Sequence, residues 1–412
     1  MAILTGRPQI NEVFTPRGAS INKNIYIERP DLERELTRAL NGSLHAIIYG
    51  ESGSGKSWLY KKVSDDIGWP FIIANCANAS RIGSLTKEIC DSVFPVGRSS
   101  IDGYTETKGA NVIGAKFEHQ KKYNVKSREP LLDAFAELSR QSRGQPSVLV
   151  LDNLESIFKS EKLMEELGNV ITLLDDQRYA QHKVKILIVG VPSGVIEYFS
   201  RTRNLRTVAN RLQEITEVRN LSEEGCNLLT KIGFRDLLRV EISAFDFENW
   251  QDHIYAVTFG IPQRVHEYCE QLAYVVQDAK WKGTLNQIDE ADAAWLKIGL
   301  KESYQVVERL MNERETKAGR RNQVLYALGK ISTRTFNSAR VEEVLRIHFP
   351  QSTAGVTLGI GQILAELGEK ENSIIKRTPK GDAFQFTDTR YAMAIRVMLR
   401  ASDGEKISKI EV

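Results

Sequence analysis

Apolar positions along this chain follow two different spacings, and the change from one to the other predicts the elements. Four short apolar runs, Ala46 to Tyr49, Trp69 to Ala74, Val148 to Leu151 and Lys183 to Pro192, have the length and continuity of strands buried in a parallel sheet. Between them the apolar residues recur every three or four positions. Leu32, Leu36 and Leu40 predict a helix that begins at Pro30 or Asp31. Ser84 to Phe94 predicts another, and Glu129 to Arg140 a third, with Leu131, Leu132, Phe135 and Leu138 on one side. A further helix follows Glu155 and runs to about Asp176. Strand and helix in alternation predict an α/β fold with a parallel sheet.

Beyond Arg211 the pattern becomes helical. Leu221-Ser222-Glu223-Glu224 reads as a helix start, with Ser222 as N-cap and carboxylates in the first turn. Helical spacing continues through Leu228–Leu238 and past the Gly260-Ile261-Pro262 turn. From Asp289, the positions Ala293, Trp295, Leu296, Ile298, Leu300 and Val306–Met311 predict one long connecting helix. The basic stretch Lys317-Ala318-Gly319-Arg320-Arg321 ends it. Helices are then predicted at Gln323–Gly329, Ser338–Phe349 and Thr353–Leu367, followed by two short strands around a Pro379-Lys380-Gly381-Asp382 turn and a last helix at Tyr391–Leu399. Three helices and a basic hairpin make a winged helix-turn-helix. Two segments show no period. Residues 1–24 are polar and read either as an extended arm or as a disordered tail. Residues 95–125, punctuated by Gly97, Gly103, Gly109 and Gly114, read as an insertion that faces a partner or serves function. The predicted domains are the arm at 1–24, an α/β core at 25–217, a helical lid at 218–282, a helical linker at 283–321 and the winged helix at 322–412.

Candidate chemistry sits at two strand ends. Gly50-Glu51-Ser52-Gly53-Ser54-Gly55-Lys56-Ser57 follows the first apolar run and precedes the helical segment that starts at Trp58. Strand, glycine-rich loop and helix in that order form a phosphate-binding loop. Glycines let backbone N–H groups turn inward as an anion nest, and the helix N-terminus adds about half a positive charge. Lys56 then reaches the β- and γ-phosphates and the Ser57 hydroxyl takes Mg²⁺, so the predicted ligands are ATP and Mg²⁺. The run Val148 to Leu151 ends in Asp152, a carboxylate delivered to the C-terminal edge of the sheet, where it holds Mg²⁺ through water.

Composition narrows the class without redirecting it. The 412 residues are 26% charged and 42% hydrophobic, with a net charge of +3, which permits a local nucleic-acid patch but does not argue for one. Cys76, Cys90, Cys226 and Cys269 are scattered and predict reduced thiols in a cytoplasmic protein, and the six histidines are equally dispersed, so no metal-ligand spacing appears. No apolar run of 18 residues predicts a membrane span.

These motifs resemble those of the AAA+ and STAND ATPases, specifically at the phosphate loop and at Asp152 and more loosely over about 25–400. The resemblance implies ATP hydrolysis and ATP-dependent homo-oligomers. It makes Tyr26 and Ile27 candidates for the adenine wall, though the start of a strand explains them as well. Where AAA+ proteins place a water-polarising glutamate, this chain has Asn153, which can orient water but cannot take its proton. Glu155 is the nearest carboxylate, either as base or as a favourable charge at a helix start. "Leu-Asp-Asn-Leu-Glu" is closer to STAND switches, and slow hydrolysis is expected. The end of the fourth run offers only Gly190 and Ser193 for the family's polar sensor. The passage from Arg201 to Glu224 resembles the core–lid junction of the origin-recognition and transposition group. By that resemblance Arg211, or second Arg206, reaches a neighbouring subunit's nucleotide; a solvated basic face is the alternative. The Gly260-Ile261-Pro262-Gln263-Arg264 turn resembles the lid sensor turn, with Gln263 in the arginine's place and Arg264 one position on. On the hairpin, Lys376, Arg377 and Lys380 are candidates for DNA phosphates; a protein-binding or autoinhibitory winged helix is the alternative. Two functions follow: an oligomerising ATPase that acts on DNA or a DNA-bound partner, or a STAND-type switch that activates a separate effector.

Overall fold

Five strands build one parallel sheet in the order β2-β3-β4-β1-β5, with β1 at His45–Tyr49, β2 at Phe71–Asn75, β3 at Ser147–Asp152, β4 at Val184–Gly190 and β5 at Leu212–Glu214. The computed structural model describes residues 6–94, 129–190, 195–202, 206–312, 319–368, 373–378 and 380–412. The expected insertion at 95–125, together with Ser193, Lys317 and Pro379, lies outside them.

Each of the four apolar runs forms a strand, and the strand period of two explains why they had to be apolar throughout. Ala46, Ile48, Val148, Val150, Leu187 and Val189 point to one face and pack against Leu36, Leu40, Leu59 and Tyr60. Ile47, Leu149, Leu151, Ile186 and Ile188 point to the other and pack against Phe135, Leu167 and Phe199. A sheet covered by helices on both faces leaves only its edges for chemistry. The chain leaves β1 for β2, returns through β3 and β4, and ends in β5 on the far side of β1. A loop leaving the C-terminal end of β1 therefore lies beside the ends of β4 and, one strand further, β3.

The chain divides into two compact units, Glu28–Arg219 and a second made of Met1–Ile27 with Asn220–Val412. The second is mainly helical, beginning with Glu223–Thr230, a π-helical stretch at Lys231–Leu237, Ala244–Thr258 and Pro262–Asp278. All four cysteines are buried and free. Among the described residues no helix is long and apolar enough to cross a membrane.

Three local expectations are corrected. Residues 6–24 are neither an extended arm nor a disordered tail. Ile10–Val13 is a short helix, Ile10, Val13 and Phe14 are buried, and the Phe14 ring occupies the space a side chain on Gly233 would need, 2.5 Å from its Cβ position. The long connecting helix is two, Gln287–Ile298 and Lys301–Leu310. They separate at Gly299, where a Cβ would lie 2.6 Å from the Trp295 indole. The helix expected at Thr353–Leu367 begins only at Ile360, because Gly355 and Gly359 adopt positive φ of 64° and 62°. Thr353 is buried and donates to the Phe349 carbonyl (2.7 Å), Thr357 lies in the intervening loop, and only Gln362 of the three polar groups is carried by the helix. The hairpin strands do form, β6 at Ile375–Arg377 and β7 at Phe384–Phe386. The Thr389–Met398 helix runs on into a second hairpin that had no sequence signal, β8 at Leu399–Ala401 and β9 at Ile407–Lys409.

The packed N-terminal segment gives a pH prediction. The Thr15 N–H donates to Nδ1 of His266 at 3.2 Å, so this buried imidazole is neutral, and burial pulls its pKa down to about 4. The unfolded chain takes the proton first as pH falls below the usual histidine value, so the stabilisation is complete above that value and is lost as pH falls towards 4. Between pH 7 and pH 5 the loss from this one group is about 2 kcal/mol. Denaturant midpoints at the two pH values should show it, and His266→Gln should flatten the difference. An unchanged difference in the variant contradicts the assignment.

Candidate nucleotide site

The loop that leaves β1 is shaped by its glycines before any ligand is considered. Gly50 has φ +152°, and a Cβ there would stand 2.5 Å from the Val218 carbonyl oxygen. Val218 is fixed in turn, because its N–H donates to the Tyr49 carbonyl at 2.9 Å. Gly53 and Gly55 have φ of +82° and +95°, where a side chain is strained. Gly50→Ala should therefore lower the melting temperature, at a cost of about 1–3 kcal/mol from the forced contact. An unchanged melting temperature means that this crowding is absent.

Gly55 is the N-cap of the Lys56–Ile67 helix and supplies no side-chain acceptor, so the first-turn N–H groups face the loop uncapped. Ser54 is buried and its Oγ has no hydrogen-bond partner. An orphaned hydroxyl, a Gly50 with no room for a side chain, two further glycines at positive φ and an uncapped helix start fit a bound polyphosphate.

Lys56 folds back onto this loop, donating from Nζ to the carbonyls of Gly50 and Glu51 at 2.8 Å each. Burial lowers its pKa, and the charges of Glu155, Asp152 and Glu51 oppose that shift. One ammonium thus stands among three carboxylates. A triphosphate entering here meets repulsion that a divalent cation relieves. Ser57 and Asp152 are the protein groups that would hold Mg²⁺; two oxygens suit an ion that keeps waters and takes phosphate oxygens for the rest. Among the described residues no cluster of three or more His, Cys, Asp or Glu forms a metal cage.

Asp152 ends β3 and accepts the Asn153 N–H at 2.9 Å; burial raises its pKa, and Glu155 adds to the shift. Asn153 adopts the left-handed conformation, φ 59° and ψ 45°, which asparagine tolerates. Its Nδ2 donates to Oδ1 of Asn75 at 3.2 Å. Asn75 ends β2 directly opposite Asp152 in the strand register. Glu155 sits in the one-turn helix Leu154–Ser156, exposed and close enough to act electrostatically on Lys56 and Asp152. Gly190 pairs with Tyr49 in the register and brings no side chain to the site.

Two residues at this edge were not singled out in the sequence. Asn75 is one; strand register alone brings it there. Tyr60 is the other. Its buried hydroxyl faces Ser57 and Asp152 without a well-formed hydrogen bond, and burial, helped by the Asp152 charge, raises its pKa. The spacing of three residues from Ser57 on one helix was the available signal.

The remaining candidates are carried by other elements. Arg211 precedes β5 and pairs with Asp175 at 2.6 Å while donating to the Thr207 carbonyl at 2.6 Å. It belongs to the N-terminal edge of the sheet, because Leu212 pairs with His45, the first residue of β1. The phosphate loop leaves the opposite edge, so Arg211 cannot serve its own chain's loop. Arg206 is exposed at the start of a one-turn helix.

Tyr26, Ile27 and Arg264 belong to the helical unit. No strand forms at Tyr26 and Ile27, which corrects the strand alternative. Both are half-buried beside Ile25, which packs against Gly233. Arg264 pairs with Glu267 at 2.6 Å, and Gln263 donates to the same carboxylate at 3.1 Å. Lys376, Arg377 and Lys380 are exposed on β6 and its turn, with the Arg377 guanidinium 4.9 Å over the Phe384 ring.

Residues 39–199 match the family model described as "AAA domain". No curated protein matches the chain in sequence. Among solved structures the chain is similar to a Walker-type ATPase of Pyrococcus abyssi, at 15% identity and TM-score 0.48, over 91% of this chain and 97% of that one. It is also similar to Cdc6p from Pyrobaculum aerophilum, at 15% identity and TM-score 0.46, over 95% and 98%. The Aeropyrum pernix ORC2 protein aligns at 13% identity and TM-score 0.49, over 95% and 98%.

Proposed function

Since residues 39–199 form an AAA domain on a P-loop core, we propose that this protein is a slowly hydrolysing ATPase that assembles with further copies of itself when ATP is bound, and that it acts on DNA or on a DNA-bound partner. The observation that carries the nucleotide reading is the convergence of the Gly50–Ser57 loop, Lys56 and Asp152 at one sheet edge. Lys56 exchanges its two carbonyl partners for phosphate oxygens. The first-turn N–H groups of the Lys56–Ile67 helix and the Ser54 hydroxyl hold the rest of the chain of phosphates. When bound, Mg²⁺ neutralises charge on the β- and γ-phosphates.

Hydrolysis is slow in this reading because Asn153 stands where a base is needed. Its amide, oriented by Asn75, can accept a hydrogen bond from water but not the proton. Glu155 is then the base, and Arg211 of an adjacent copy, released from Asp175, stabilises the transferring phosphate. The helices from Asn220 onward are read as a lid at 218–282, a linker at 283–321 and a winged helix at 322–412, whose hairpin places Lys376, Arg377 and Lys380 towards DNA phosphates. Tyr26, Ile27 and Arg264 are proposed as nucleotide-binding residues on the family resemblance alone.

Because the Ile360–Gly368 helix exposes Gln362 but no basic residue, contacts through the hairpin are expected to be to the backbone and blind to base sequence. Affinity for duplex DNA should then fall with salt, with a log–log slope of about −2 to −3 for two or three phosphates. No binding at about 50 mM salt, with or without ATP, removes DNA from the account. That result would leave the second reading, a STAND-type switch that activates a separate effector, which Asn153 also favours because a switch needs ATP to persist.

A further inference from the structure

The helical unit contains a cleft of about 570 Å³, bounded by the Ala244–Thr258 helix, the first turn of Gln287–Ile298, and the helices Arg320–Lys330 and Thr389–Met398. Arg396 lines it. Its guanidinium donates to the carbonyl oxygens of Ala256, Gly329 and Ile331 and lies 3.8 Å over the Phe259 ring. Those partners are dipoles and a ring quadrupole. Among the described residues no carboxylate pairs with this cation, and burial pulls its pKa down to about 10.

Lys330 lines the same cleft from an exposed position, 5.0 Å over the Tyr326 ring, and again no described carboxylate pairs with it. Arg400 differs: it reaches Asp292 at 2.7 Å and Asp289 at 3.6 Å, so its charge is already balanced. Two cations without counter-charge thus face a wall supplied by Ala256, Leu285 and Ile288, with Leu285 40% exposed, while the lining carboxylate of Asp289 is turned to Arg400.

A desolvated guanidinium held only by carbonyls leaves favourable Coulomb energy unused, and an anion would recover it in a low-dielectric setting. The volume is that of a small-molecule site, and the wall favours a flat apolar body. We propose that this cleft binds a small organic anion, a carboxylate, sulfonate or phosphate carried on an apolar body, independently of the nucleotide at the phosphate loop. Such a ligand joins the Ala244–Thr258 helix to the helices of the C-terminal segment and stiffens this unit.

The test is a fluorescence titration of the full chain with 1-anilinonaphthalene-8-sulfonate, with N-phenyl-1-naphthylamine as its neutral counterpart. Both substitutions chosen lie at exposed positions, so the fold survives them, as melting temperatures will verify. The expected result is one saturable site for the sulfonate, about tenfold weaker or more in Lys330→Glu and lost in Ala256→Trp, which fills the cleft. The neutral probe should bind at least about tenfold more weakly. Absence of a saturable site, equal affinity in the two variants and the parent, or equal affinity for the two probes overturns the proposal.

Discussion

Replacing Lys56 with alanine should weaken ATP binding by about 100-fold or more, the expected consequence of losing charge-assisted hydrogen bonds to two phosphates. The Lys56 ammonium holds the Gly50 and Glu51 carbonyls at 2.8 Å and is desolvated. Moving from carbonyl to phosphate oxygens exchanges dipoles for full negative charges, so the interaction is much stronger with ligand than without it. Lys56→Met keeps the apolar stem and removes the charge. Calorimetry of ATP with Mg²⁺ should find binding lost in both variants. Melting temperatures taken in parallel separate a lost ligand contact from a lost fold. Retained affinity in folded variants contradicts the role given to Lys56.

The second large effect belongs to Glu155→Gln. The site has one position where a base is expected, and Asn153 fills it with an amide fixed on Asn75. Glu155, exposed on the next turn and close enough to act on Lys56 and Asp152, is the carboxylate proposed to take the proton from water. General bases contribute about 10²–10⁴-fold in rate, so turnover in the variant should fall by about 100-fold or more while ATP affinity stays near that of the parent. Single-turnover kinetics with a separate binding measurement make the comparison. Unchanged turnover assigns the step to water oriented by Asn153, and a fall in affinity equal to the fall in rate reduces Glu155 to a binding group.

How much of this was legible in the sequence depends on whether the cause was local. The strands were, because a sheet covered on both faces forces runs such as Val148–Leu151 to be apolar throughout. The phosphate loop was legible for the same kind of reason: its glycines meet demands set within a few residues, as the positive φ of Gly53 and Gly55 shows. The short N-terminal helix was not. Three buried side chains, Ile10, Val13 and Phe14, are too few to establish a period, and the slot that the Phe14 ring fills is made by Gly233, far along the chain. The hairpin of β8 and β9 has three residues in each strand, too short for alternation to register. The break shows at Leu300, whose φ of −124° and ψ of 15° leave the helical region, while apolar spacing ran through it unbroken.

The site divides in the same way. Gly50 to Ser57 and Asp152 announce themselves by type and spacing. Asn75 reaches the site only through the pairing of β2 with β3, where it lies opposite Asp152. Asn153 could be read as a departure from the family's pattern, but the partner that fixes its orientation could not. Tyr60 had a helical spacing from Ser57 that pointed to it, and its apolar neighbours concealed that signal by making it look like core, which it also is.

In the proposed function the phosphate loop grips ATP, hydrolysis is slow, and the ATP-bound state assembles copies of the chain. Light scattering of the purified protein with ATP and Mg²⁺, with ADP and Mg²⁺, and without nucleotide measures this most directly. The predicted result is a larger mass with ATP alone, persisting for long periods and absent in Lys56→Ala. One mass under all three conditions contradicts it.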